Sequence, residues 1–125
     1  MIVDRWRDEE PRLNAIEDAW GGERGELLRR SRVVLSASQI PGDFAGWRLV
    51  LALAAGAVVV SEPMADPFPF VAGVHLVEAP VDGLLAAARD LIADEPRRRR
   101  IASAGQSLLA GDLAMAASLK RVLSL

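Results

Sequence analysis

The sequence contains no cysteine, no tyrosine and a single histidine, His75, among its 125 residues. Without cysteine, disulfides, thiolate metal sites and Cys–His nucleophile pairs are excluded. One histidine also rules out a His-rich metal site, and with no cysteine beside it leaves little for nucleophilic catalysis. Aromatic residues are few, three Trp and three Phe. No phosphate loop of the Walker type is present. Asp and Glu are plentiful, but nothing in their spacing marks an acid/base pair. A large excess of either charge is lacking too: a net charge of −2 argues against a general nucleic-acid binder, which would carry a basic stripe. The longest apolar run, Leu49 to Val60, falls short of the ~20 residues of a transmembrane helix, and Gly56 interrupts it. The opening MIVDRWRDEE holds no signal-peptide core, so a cytoplasmic location is expected.

What is present describes a globular chain. About half of it is apolar and a quarter charged, enough for one domain with one modest core. Residues 1–22 are charged and broken by Pro11 and Gly21-Gly22, and read as a separate, partly helical segment. Within it, Arg12 to Trp20 shows Leu13, Ile16 and Trp20 on one helical face. Glu23 to Arg30 reads as a helix with acids early and arginines late, matching the dipole. Val33-Val34-Leu35 marks a buried strand over 32–36, and Pro41 and two glycines mark a loop over 37–46.

The centre of the chain, RLVLALAAGAVVVSEP from Arg48 to Pro63, is its most informative stretch. A helix over 44–55, with Asp43 as N-cap, stops at Gly56, which suits a left-handed terminal residue. Ala57 to Val60 is then continuously apolar, as in a parallel strand covered on both faces. The helix is apolar in nearly every direction (Phe44, Trp47, Leu49, Val50, Leu51, Leu53), so burial on all sides is expected, with 112–123 one cover and a second copy or partner chain the other. A third strand is expected over 74–77. Helices are expected over 81–93, with Leu84, Leu85, Ala88, Leu91 and Ile92 inward, and over 95–109 and 112–123. This order predicts an α/β fold with a parallel sheet of about three strands and flanking helices. Three strands are about half of a doubly wound domain.

The order and spacing from Glu23 to Ser36, from Arg48 to Glu62, through Gly73-Val74-His75-Leu76-Val77 and on to Leu91–Gly105 resemble glycosyltransferases of the GT-B type. The resemblance covers roughly residues 23 to 110. It implies a partial, Rossmann-like C-terminal domain over 23–125, the part that holds a nucleotide-sugar donor in such enzymes while a separate N-terminal domain holds the acceptor. It also implies that Gly42, Asp43, Gly46 and Arg48 surround the donor diphosphate. A glutamate within the helix often contacts the donor ribose in that family; the matching position here is Leu51. The acceptor domain has no counterpart in these residues, so the chain is expected not to be catalytic alone and to take a second copy or a partner chain. No cofactor or metal is implied. The alternative function is a non-catalytic protein-interaction module on the same scaffold.

Several residues carry two readings from sequence. Arg48, in a helix's first turn, suits a phosphate, and equally a surface ion pair with Asp43 or another acid. Gly42 and Gly46 allow close approach of a ligand, or simply shape the turn after Pro41. Ser61 and Glu62 fall at a strand's carboxyl end, where open α/β sheets bind ligands, and Glu62 there could accept sugar or ribose hydroxyls or merely end the strand. His75 reads as a strand residue, Phe68 and Phe70 as loop aromatics that plug the core edge, and Arg97–Arg100 as one solvated turn of helix.

Overall fold

The computed structural model describes residues 21–38, 40–44 and 46–124. The helix expected over 12–20, and with it most of the segment 1–22, lies outside the described residues. Helix α1 (Gly22–Arg30) has Glu23 in its first turn and Arg29 and Arg30 in its last, and Ser31 closes it by donating its hydroxyl to Leu27 O at 2.8 Å. Strand β1 (Val33–Ser36) follows, then helix α2 (Gly46–Ala54) and strand β2 (Val58–Ser61). Gly56 ends α2 with φ 84°; its N–H donates to Leu53 O and that of Ala57 to Ala52 O, both at 3.0 Å. Those two bonds form the Schellman arrangement, which satisfies carbonyls that a helix end otherwise leaves open.

Strand β3 is shorter and later than expected, Val77–Glu78. Val74 and His75 are held in a turn instead, where the amides of both donate to Val71 O at 3.1 and 2.9 Å, and Gly73 N donates to Leu76 O at 2.7 Å. His75 Nδ1 accepts from Val71 N at 3.0 Å. An N–H used inside a turn is withdrawn from a ladder, so His75 is a turn residue and not a strand residue.

The three strands run parallel in the order β1-β2-β3, with Val33 opposite Val58 and Val60 opposite Val77. The sheet is α/β in class, as the sequence predicts. Beyond it come a 3-10 turn (Val81–Gly83) and helices α3 (Leu84–Ala93), α4 (Glu95–Ala110) and α5 (Met115–Leu123). Arg98 in α4 donates to the carbonyls of Leu91 and Ile92 at the end of α3, and Arg99 pairs with Glu95 at 2.6 Å. Arg98 thus ties α4 to the end of α3, and Arg99 pairs within its own helix.

Alternation along β2 divides the core in two. Ala57 and Val59 face a cluster with Leu49, Ala52 and Leu53 of α2, Phe70 and Leu76. Val58 and Val60 face a second cluster with Leu84, Ala88 and Leu91 of α3 and Ile101 of α4. Helix α4 reaches both, since Leu108 and Leu109 pack against the first cluster. Its Gly105 lies so close to α2 that a Cβ there would stand 2.7 Å from Leu53 Cδ2.

Within the single chain, burial differs from expectation in two helices. Helix α2 is not buried all round: Trp47 is 61% exposed, and Phe44 just before the helix and Val50 within it are also exposed. Only Leu49, Ala52 and Leu53 of α2 are buried, which is one face, because α4 and the sheet reach that side alone. In α3, Leu85 and Ile92 are exposed rather than inward. Leu113 packs on the core, but α5 itself has no buried residue and does not cover α2.

Candidate functional site

The carboxyl ends of β1 and β2 carry Ser36 and Ser61, both buried, side by side in register. The segments that leave them, 37–44 and 62–70, meet again further out. Gly42, with φ 81°, forms a parallel bridge to Met64, and Ala65 N donates to Gly42 O at 3.0 Å. Asp43 is exposed, and its Oδ1 accepts from Phe44 N at 2.9 Å. Gly46 opens α2 under the Phe44 ring, where a Cβ would be 2.8 Å from Phe44 Cε1. Phe44 in turn lies 6.1 Å, centroid to centroid, from the buried Phe70. Gly46 therefore has a packing reason that is independent of any ligand. Phe70 plugs the core edge, while Phe68 is exposed.

Arg48, third residue of α2, is exposed in the helix's first turn. Its guanidinium stands 5.4 Å from the centre of the Trp47 ring, and Nη1 donates to Ala37 O at 3.5 Å. Ser61 spends its hydroxyl on Glu62 O at 2.9 Å. Glu62 Oε2 accepts from Ser38 N at 2.8 Å, reaching across from the end of β2 to the loop after β1. Glu78, at the end of β3, accepts from Met64 N at 3.4 Å in a similar way.

Between α1, β1 and α2 lies a pocket of about 120 Å³. Leu28, Val34, Leu51 and Val59 form its apolar wall, Ser36 its end, and Arg24, Trp47 and Arg48 also line it. None of these residues is acidic. A second hollow, also lined by Arg24, Leu28 and Leu51, continues past Gly21 and Ala55. Of the six residues singled out from sequence, only Arg48 lines the pocket. Gly42, Asp43, Gly46, Ser61 and Glu62 belong to the loops beside it. Arg24 and Trp47 are additional candidates, and their spacing holds the signal: Arg24–Leu28 and Trp47–Leu51 are i,i+4 pairs, each on one helical face.

Chemically, two guanidinium groups and a helix amino-terminal turn favour an anion at the pocket mouth. The apolar wall and the indole favour a flat or apolar group inside.

Against known proteins, the chain matches the model of the family described as glycosyl transferase-like over residues 2–123. No curated protein matches it. The family match spans nearly the whole chain, so the chain belongs to the glycosyl transferase-like family.

Proposed function

We propose that this member of the glycosyl transferase-like family supplies the donor side of a GT-B type reaction, holding a nucleotide sugar and relying on other polypeptide for catalysis. The observation that carries the reading is Arg48 in the first turn of α2, at the mouth of a pocket it shares with Arg24 and Trp47. The diphosphate would sit on the amides near Gly46 and on Arg48, with Gly42 and Asp43 shaping the loop around it. Ser61 and Glu62 would close the sheet end of the site. Residues 23–125 would form the functional unit.

Leu51 enters this reading as a constraint. With no carboxylate among the described residues that line the pocket, ribose hydroxyls gain no charged acceptor from them, and affinity rests on the anion and on stacking. Titration with UDP and GDP, followed by calorimetry, tests the proposal. Arg48→Ala is expected to weaken binding by about 1.5–3 kcal/mol, the range for a hydrogen bond to a charged group. Unchanged affinity would remove Arg48 from the site.

A second reading, an interaction module, is favoured by α5. Met115, Leu119, Val122 and Leu123 are all exposed and fall at i, i+4, i+7 and i+8 along one helical face. A nine-residue helix with no buried side chain is marginal by itself. A second copy pairing through this stripe would bury it. Dimerisation with no nucleotide binding at millimolar concentration would select this reading.

A further inference from the structure

We propose that Glu62 is a positioning residue that holds Arg48 in place through a single peptide unit, the one joining Ala37 to Ser38. This deepens the donor-site reading and rests on it for the ligand.

The Ala37 carbonyl and the Ser38 amide belong to one planar trans unit, so they point to opposite sides of the chain. On one side the Glu62 carboxylate accepts from Ser38 N at 2.8 Å. On the other the Arg48 guanidinium donates to Ala37 O at 3.5 Å. The peptide dipole therefore lies between an anion and a cation, with its N–H toward the anion and its C=O toward the cation. Each charge favours the orientation that the other needs, and polarisation along such a chain strengthens both bonds.

Glu62 is itself held for this task. Its N–H donates to Ser36 O at 3.3 Å, continuing the ladder past β2, and its carbonyl accepts the Ser61 hydroxyl at 2.9 Å. The far end of the loop is tied at Gly42 to Ala65. With Ser38 and Gly42 both anchored to the chain beyond β2, the peptide between Ala37 and Ser38 has little freedom to rotate. Arg48 gains a fixed acceptor that keeps its exposed side chain near the pocket mouth. Glu62 then acts on a ligand through the loop and Arg48, without touching it.

Three variants in the full chain, Glu62→Gln, Glu62→Ala and Arg48→Ala, test this with two readouts. In ligand-free protein, nuclear magnetic resonance reads the Ser38 amide and the Arg48 guanidinium signals. Glutamine keeps an acceptor oxygen but not the charge, so Glu62→Gln is expected to shift both signals only part of the way. Glu62→Ala should move the Ser38 amide and narrow the Arg48 signal. With UDP as the probe, Glu62→Ala should weaken binding by about 2- to 10-fold, the range for a lost hydrogen bond, and Glu62→Gln by less. Glu62→Ala added to Arg48→Ala should cost nothing further, since both variants break one unit. Equal losses for Glu62→Gln and Glu62→Ala would overturn the proposal, since the acceptor oxygen that holds the Ser38 amide would then not matter. Additive losses would overturn it too, as would unmoved Ser38 and Arg48 signals in a folded Glu62→Ala. Should UDP fail to bind the wild type, the donor reading falls alone, and the ligand-free signals still decide the clamp.

Discussion

Gly56 carries more than its absent side chain suggests. Its φ of 84° turns the chain out of α2 and straight into Ala57, the first residue of the buried run. Any residue with a Cβ is strained there by about 1–2 kcal/mol, the left-handed penalty for L-residues. Gly56→Ala is expected to lower stability by that amount in urea unfolding, with an unchanged slope. This residue was legible in the sequence because a glycine between an apolar helix and an apolar strand has one local meaning. The place of Arg48 in the first turn of a helix was legible as well, from its distance to the loop glycines. Glu62 was only half legible. Its place at a strand end could be read, but its partner Ser38 stands 24 residues away and is brought near only by the β1–β2 pairing. Trp47 and Arg24 looked like ordinary helix residues until α1 and α2 were set side by side.

Helix α2 shows where pattern reading stops at the scale of elements. Its composition suggests burial in every direction, yet its buried residues are Leu49, Ala52 and Leu53, the set that faces the sheet and α4. The period of the apolar residues identified a helix and could not tell how many neighbours it would meet. The two long strands were placed within a residue because a parallel strand is written as a continuous apolar run. The third was misplaced because Val74 and His75 have strand-like composition but spend their amides in a turn, while Leu76 only bridges to Ala72. Where α2 and α4 meet, Gly105 decides the spacing. Gly105→Ala gains about 1 kcal/mol of helix propensity but strains the contact with Leu53 by about 1–3 kcal/mol. A net loss on the order of 1 kcal/mol is expected by denaturant unfolding. In a Leu53→Ala background the obstacle is gone, so the same substitution should become stabilising. A loss of equal size in both backgrounds would show that Leu53 is not what limits the approach.

On the scale of the whole molecule, no helix among the described residues is long and apolar enough to cross a membrane. The apolar surface that stands out is instead the stripe on α5, with Met115 74% and Leu123 82% exposed. If a second copy covers it, sedimentation should report a dimer at micromolar concentration. Leu119→Glu, at the middle of the stripe, should then give monomers with no loss of secondary structure by circular dichroism. A wild-type monomer throughout that range would count against pairing and leave the stripe to another partner. Helix α4 has a different consequence. Because Ile101 belongs to the core on one side of the sheet and Leu108 and Leu109 to the core on the other, neither side can melt while the other keeps its helix intact. The two clusters should act as one cooperative unit in hydrogen exchange. Amides of α2 and of α3 would then share a common opening free energy despite lying on opposite sides of the sheet.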